Sequence, residues 1–391
     1  MKTAAFLYPW DVVGDPGATA RIADLGVQQV TLASAYHSTR ALTPRHPRHR
    51  VVTAAHAAVL YPVDEERWSG QRLRPYAAGD WAPGADPYGE AAEALAAAGL
   101  DVHSWVVLAH NSRLGADFPD TSVVNAYGDR YPWAPCIARA DVRAYLTRLA
   151  AEAAVRPGAR GTELESCGWY GLAHLHAHDK IAGVGLGDAA QYLMSLCFCP
   201  GCEAGYAGLG STGEELRAAV RRALEPAWAS GRSSGAGWPA VEKLIGTEAA
   251  AVTLAWRTRT ARTLQESAVA AVRAAAPPGF QVLLHADPSP YHCGANAGVD
   301  PGHVLGVADG VVVPCADGPE LLAPFVERLA PGAATVVAAN LGVVSGMGGS
   351  PGTLAADAAR AAARGASELR LYHAGLASDA DLGLVRAALR P

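Results

Sequence analysis

Basic charge is what this sequence has little of. Lysine is scarce, and across 391 residues 32 Lys and Arg stand against 37 Asp and Glu, a formal net charge of −5. A nucleic-acid partner normally demands a basic face, so the balance argues against nucleic acid. Long apolar runs are missing too: no stretch approaches the roughly 18 residues that span a bilayer, and no membrane partner is expected. The start, Met-Lys-Thr-Ala-Ala-Phe-Leu-Tyr-Pro-Trp-Asp, lacks the charged n-region, longer apolar h-region and cleavage site of a secretory signal. It reads as a first strand, and the expected location is cytoplasmic. In that compartment the seven cysteines point to metal or buried thiols rather than to a disulfide framework. The Gly-rich Gly346-Met-Gly-Gly-Ser has no accompanying P-loop Lys or full G-x-G-x-x-G, and neither a serine elbow nor a cysteine-nucleophile motif stands out.

What is present is a large apolar fraction, 50% against 18% charged, ample for a big core. Short β-branched or apolar runs alternate with longer Ala/Leu/Arg/Glu-rich segments of helical period. The strand candidates are Ala4–Tyr8, Val27–Ala33, Val102–Ala109, Gly161–Glu165, Gln281–His285, Gly310–Pro314, Thr335–Asn340 and Glu368–Tyr372. Helical stretches fall at Ala18–Leu25, Tyr88–Ala98, Ala140–Val155, Glu248–Ala275, Pro319–Leu329, Leu354–Arg364 and Asp379–Ala388. Eight strands with intervening helices predict one (β/α)8 barrel over residues 1–391; a doubly wound open sheet is the alternative. Two insertions break the rhythm after strands two and four, His37–Gly84 and Gly168–Pro239. Both leave the face where barrel enzymes place their chemistry.

Cys197, Cys199 and Cys202 lie in Cys-Phe-Cys-Pro-Gly-Cys. Three thiolates this close can close around one tetrahedral zinc, with a fourth ligand from a distance. Cys136, in Pro-Trp-Ala-Pro-Cys, is the best fourth. The expected cofactor is one structural zinc per chain, pinning the strand-four insertion (residues 168–239) and leaving no open position for substrate.

Around these residues the chain resembles the family 42 β-galactosidase-type glycoside hydrolases and their uncharacterised barrel relatives. Cys136, in Pro-Cys-Ile-Ala-Arg-Ala-Asp-Val-Arg-Ala-Tyr-Leu, matches that family's upstream zinc ligand, and the C-x-C-x2-C cluster matches the other three. Glu165, in Gly-Thr-Glu-Leu-Glu-Ser, occupies the place of the family's general acid. The stretch Ala35-Tyr-His-Ser-Thr-Arg-Ala-Leu-Thr-Pro-Arg is similar to glycosidases of the uncharacterised branch. The likeness covers roughly the first 205 residues by motif and the rest by βα rhythm. Two departures stand out. Leu164 precedes the acid where the family has Asn, and strand seven offers Asn340 where the family carries its nucleophilic Glu. An inverting or unusual mechanism is therefore expected.

Residues at the C-terminal ends of barrel strands read as catalytic rather than structural. Polar groups recur at these ends: Asp11 after strand one, Tyr36 and His37 after two, His110 and Asn111 after three, and Glu163 and Glu165 closing four. His285 and Asp287 close strand five, Asp317 follows six, Asn340 ends seven and His373 ends eight. Glu163 and Glu165, two apart, face one side. Glu165 is expected at the mouth as acid, and Glu163 one layer deeper, as a binding residue or as the partner of an Arg or His. Asp287 or Asp317 would supply the second carboxylate, Asp287 being nearer. His174, His176 and His178, alternating before Asp179, suit hydroxyl binding better than a second metal. Trp10, Trp169 and Tyr170 could stack on sugar rings, while Trp105 in mid-strand reads as core.

The sequence thus predicts a glycoside hydrolase acting on a small carbohydrate or glycoside, in a chain that a homo-oligomer would accommodate. A His-rich sugar or sugar-acid lyase or isomerase is the second reading. A carbohydrate-binding pseudoenzyme that lost its nucleophile is the third.

Overall fold

The computed structural model describes residues 1–172, 179–233 and 235–390. Eight parallel strands form one closed barrel: β1 (Lys2–Leu7), β2 (Gln29–Tyr36), β3 (Asp101–Val107), β4 (Ala159–Glu165), β5 (Gln281–Asp287), β6 (Gly310–Pro314), β7 (Val336–Gly342) and β8 (Glu368–Tyr372). Closure is explicit, because β1 pairs with β2 (Ala4 opposite Gln29) and also with β8 (Ala4 opposite Arg370). An open doubly wound sheet would leave two edge strands, whereas each of the eight has a neighbour on both sides, so that alternative is set aside.

The eight strands lie within a few residues of the predicted ones, because each is a β-branched or apolar run long enough to register on its own. A helix follows each: α1 (Ala18–Ala23), α2 (Pro87–Ala97), α3 (Ala140–Ala154), α4 (Thr247–Ala275), α5 (Pro301–Val307), α6 (Ala323–Val326), α7 (Leu354–Ala363) and α8 (Asp379–Leu389). Three are pinned at the start by side-chain caps, Asp86 to Gly89 N–H, Asp300 to His303 N–H and Ser378 to Asp381 N–H. In α4 the buried positions Ala250, Thr253, Arg257, Ala261, Leu264, Ala268 and Val272 recur every three or four residues, one stripe turned onto the barrel. Helix α5 was not foreseen. Its seven residues include two glycines, and the Asp300 cap and packing against α4 supply what propensity does not.

Three loops at the C-terminal rim are elaborated. After β2 a hairpin pairs Thr39–Leu42 with Val51–Ala54. After β3 a second hairpin pairs Ser122–Val124 with Arg130–Pro135, an elaboration the sequence did not suggest. After β4 come, among the described residues, four further helices, Asp188–Met194, Pro200–Ala207, Gly213–Ser230 and Gly237–Ile245.

Outward side chains of the strands (Leu7, Leu32, Val106, Leu164, Leu284, Val313, Leu371) join the main apolar core under the helices. The interior is different. Below the mouth lie Phe6, Ala33 and Trp105, and farther round Leu283, Val312 and Ala338. Among them runs a chain of charges. Arg370 of β8 donates from Nε to Glu163 Oε1 of β4 at 2.6 Å, with both side chains sealed from solvent. Its Nη1 reaches Glu368 at 2.8 Å, and Thr31 of β2 donates to the same Glu163 oxygen at 3.1 Å. Gly161 makes room beside this layer, since a Cβ there would stand 2.6 Å from the His103 ring. Burial by itself would push the Glu163 carboxyl up, but Arg370, His285 and His103 outweigh it and hold it at about 2.

A buried pair broken on one side leaves an uncompensated charge, so Arg370→Met should destabilise the protein by about 3–5 kcal/mol. Glu163→Gln added to it should recover part of that loss in urea denaturation. The depressed Glu163 carboxyl also sets a pH window. Its contribution is fully present above the unfolded value of about 4.3 and is lost as pH falls towards about 2. Acid titration of Arg370→Met should show that component reduced.

Candidate active site

The mouth of the barrel opens into a cleft of two lobes, of about 800 and 510 Å³, that share Glu165, Ala295, Met347 and Tyr372. The first lobe is aromatic and basic, lined by Tyr8, Tyr36, His37, Arg40, His110, Tyr170, Cys293 and His373 among others. The second is more polar, with His285, Asn296, Asn340, Ser350, Thr353, Asp357 and Arg360. Glu165 stands where the lobes meet.

Local backbone explains several of these placements. The β2–β3 register shifts between Ala33 and Ala35, so Tyr36 joins Ala33 in facing the interior while Ala35 turns out. Among the described residues, two other than glycine have left-handed backbone, Ser166 at φ 56° and His373 at φ 62°. They directly follow Glu165 and Tyr372, the two polar groups shared by the lobes. Such conformations cost energy and persist where the surroundings hold them; here Ser166 N–H donates to Ala295 O at 2.8 Å and Ala109 N–H to Ser166 O at 3.1 Å.

Glu165 is 2% exposed. Trp105 Nε1 donates to its Oε2 at 2.9 Å, the Tyr372 phenol faces the same carboxyl, and His285 Nδ1 lies 3.9 Å away. Burial raises its pKa; His285 and the Trp105 bond oppose that, and the fixed charge of Glu163 adds to it. His285 sits between the two carboxylates, its Nε2 3.4 Å from Glu163 Oε2. The two glutamates of one strand are thus driven apart, Glu163 held ionised and Glu165 favoured as the acid form.

The aromatic lobe is a run of stacked rings. Tyr36 stacks on His37 with centroids 4.2 Å apart, and His110 stacks on Tyr170 at 4.6 Å. His373 Nδ1 meets Tyr8 OH at 3.0 Å, and burial holds this imidazole down at about 3, so it stays neutral.

Of the residues singled out from sequence, Tyr36, His37, His110, Glu165, Tyr170, His285, Asn340 and His373 line one lobe or the other. His174, His176 and His178 lie outside the described residues. The rest are placed elsewhere. Glu163 is sealed beneath the mouth as the partner of Arg370 and His285, so it cannot reach a substrate. Trp10 is fully buried behind Tyr8, stacked on it at 4.6 Å. Asp11 points under the turn after β8, where a Cβ on Gly375 would meet its Oδ2 at 1.8 Å. There it accepts Tyr8 N–H at 2.9 Å, and burial, opposed by that bond and by Arg45, raises its carboxyl to about 7. Asn111 is turned back to cap the helix Ser112–Asp117 through Leu114 N–H. Asp287 accepts Ser289 N–H at 2.8 Å and pairs with His292 Nδ1 at 2.9 Å, lining neither lobe. Asp317 is exposed on the loop beyond β6. Trp105 is core, but its indole N–H is also the donor to Glu165, and Trp169 is core too, donating to Arg257 O.

Sequence reasoning passed over Arg40, Cys293, Tyr372, Asp357 and Arg360. Tyr372 could have been found, since it ends β8; the others come from loops or a helix whose approach only the fold decides. Cys293 receives Arg257 Nη2 at 2.7 Å. That guanidinium is 1% exposed and sandwiched with the Trp169 and Tyr192 rings.

Cys136, Cys197, Cys199 and Cys202 are buried together. Cys136 Sγ lies 3.6 Å from Cys197 and Cys199 and 3.7 Å from Cys202, all four within 4.8 Å of one another. Bonded sulfurs would be about 2.0 Å apart, whereas a tetrahedron with metal–sulfur distances of about 2.3 Å has edges of about 3.8 Å. Val124 N–H points at Cys197 Sγ from 3.5 Å. The donor set fits a metal ion such as zinc. None of the four lines either lobe.

No family model matches the sequence, and no curated protein matches it. Solved structures do match, at the level of the fold. The chain is similar to the catalytic domain of β-amylase from Paenibacillus polymyxa, with 13% identity, TM-score 0.56, and coverage of 99% of this chain and 97% of that one. It is similar to α-L-fucosidase isoenzyme 2 from Paenibacillus thiaminolyticus, with 12% identity, TM-score 0.55, and coverage of 99% and 48%. The PgaB (BpsB) glycoside hydrolase domain from Bordetella bronchiseptica gives 14%, 0.52, 99% and 98%. The chain thus spans about half the length of the fucosidase and nearly all of the other two. Family 42 is one distant match among several glycoside hydrolase barrels.

Cys293 is the one cysteine of the seven that is not buried. Brief treatment of the folded protein with iodoacetamide should therefore label Cys293 first, read by peptide mass spectrometry. Cys293→Ser should abolish the fast labelling phase.

Proposed function

We propose that the protein is a glycoside hydrolase whose general acid is Glu165. One observation carries the reading: a buried carboxyl with a raised pKa stands at the junction of two lobes that can take groups on either side of a scissile bond. Aromatic faces beside hydroxyl-binding polar groups suit a sugar ring, and the fold is shared with glycosidases. In this reading the Trp105 indole holds the carboxyl in place, and burial together with the fixed charge of Glu163 keeps its proton affinity high against the opposing pull of His285. The four-cysteine site is read as a structural zinc site. When bound, zinc would supply no chemistry at the cleft but would tie the hairpin after β3 to the insertion after β4.

The lobes hold neither Asp287 nor Asp317, and this favours a second reading, a carbohydrate-binding protein without turnover. Kinetics on Glu165→Gln separate the two. The variant should lose about 10²–10⁴-fold in rate on a natural glycoside, far less on a nitrophenyl glycoside whose leaving group needs little protonation, and bind substrate nearly as before. A wild-type rate in the variant would remove Glu165 as the acid, and sugar affinity with no turnover in either protein would establish the binding reading. Because the acid form is the active one, the rate should fall as pH rises through the raised pKa of Glu165. Elemental analysis of protein purified without chelator should find one zinc per chain. Each Cys→Ser change in the set should lower Tm by about 5 °C or more while leaving kcat on the nitrophenyl glycoside nearly unchanged at a temperature where the variant is folded.

A further inference from the structure

The hairpin after β2 carries a charge that the glycosidase reading leaves unused. Between Asp24 and Asp64 the chain has no Asp or Glu, yet Arg40, Arg45, Arg48 and Arg50 all fall there. In a chain of net charge −5 this is a local reversal of sign. Two of the four arginines hold the hairpin in place. Arg50 Nη1 donates to His46 O within the turn. Arg45 Nη2 donates to Gly375 O at 2.9 Å, and Asp11 attracts its charge, so the hairpin is fixed against the turn after β8. Arg40 and Arg48 are exposed and, among the described residues, make no ion pair with a carboxylate. Arg40, together with Thr39, Ala41 and Leu42 of the same strand, lines lobe one.

Nothing in that lobe offers a counter-charge. Among the described residues Glu165 is its only carboxylate, and burial favours the acid form. Lobe two is balanced, because Arg360 is paired with Asp357. Other surface arginines meet acids in the same way, Arg72 with Asp120 and Asp141, and Arg262 with Asp300. A cation without a partner beside the apolar and aromatic wall of a cleft focuses its field into that cleft. Resting on the glycosidase reading, we propose that the substrate is an acidic glycan: lobe one takes a sugar whose carboxylate or sulfate group is bound by Arg40. A guanidinium presents parallel N–H donors to two oxygens at once. Both groups supply that pair of oxygens, so they share one recognition chemistry. Arg40 touches no reacting atom; it selects which substrates are held beside Glu165.

The test compares acidic and neutral sugars on the full chain. Initial rates are measured on 4-methylumbelliferyl α- and β-glycosides of glucose, galactose, glucuronic acid and galacturonic acid, and of glucose and galactose 6-sulfate. Disaccharides of glucose and glucuronic acid, with the acid on either side of the bond, complete the panel. An acidic substrate should exceed its neutral counterpart in kcat/KM by about tenfold, chiefly through KM. That is the low end for a hydrogen bond to a charged group, since Arg40 is exposed. Raising NaCl from about 0.05 to about 0.5 M should shrink the ratio. Arg40→Glu should bring it below one and Arg40→Lys should keep part of it, with Tm showing that each variant is folded. Preference for the uronides assigns the carboxylate, and preference for the 6-sulfates assigns the sulfate. Neutral substrates turned over as well as acidic ones, or a ratio unmoved by Arg40→Glu, would overturn the acidic-glycan proposal and leave the glycosidase reading standing. Absence of turnover across the panel would sink the glycosidase reading. Calorimetric Kd values for the acidic and neutral methyl glycosides then decide the charge preference: tighter binding of the acidic sugar, lost in Arg40→Glu, upholds it, and equal affinity or none overturns it.

Discussion

The Glu163–Arg370 pair inside the barrel is the constraint on which the site depends. A guanidinium and a carboxylate without solvent are tolerable only because each is bonded on several sides, Glu163 by Arg370 and Thr31, Arg370 by Glu163 and Glu368. The pair ties β4 to β8 across the lumen. It also places a permanent negative charge one layer below the mouth. With His285 between the glutamates, that charge helps keep Glu165 in its acid form. Structure and electrostatics are thus one arrangement: removing Arg370 would disturb the barrel and the acidity of the mouth together.

Above that layer the rim is assembled from backbone irregularities. The bulge in β2 turns Tyr36 inward, and left-handed residues after β4 and β8 start the loops away from Glu165 and Tyr372. The result is a carboxyl flanked by an indole N–H and a phenol, with aromatic rings on one side and amides on the other. No second free carboxylate lines the lobes among the described residues.

The cysteine cluster works at a distance from this cleft. Its ligand set joins Cys136, just after the hairpin that follows β3, to three residues more than 60 positions later in the insertion after β4. Both elaborations bury apolar side chains in the main core, Val123 and Tyr131 from the hairpin and Leu193, Phe198 and Leu224 from the insertion, and a shared metal would add a fixed spacing between them without contacting the lobes.

Much of this was legible from sequence because it rests on local signals. Hydrophobic runs alternating with helical stretches determine eight strands, and spacing within Cys-Phe-Cys-Pro-Gly-Cys determines which thiols can converge. Position at the end of β4 places Glu165 at the mouth. Side-chain direction at a strand end is not local. Asp11, Asn111 and Asp287 stand at the rim as expected, yet Gly375 and Arg45, the Leu114 amide and His292 draw them away from the cleft. Arg370, an unremarked residue in β8, was decided only by closure of the barrel, which brings it opposite Glu163 from 207 residues away. The sequence by itself determined the scaffold and the residues that could act. Tertiary structure decided which of them face a common space, because a buried polar group turns towards whichever partner satisfies it, and those partners come from distant parts of the chain.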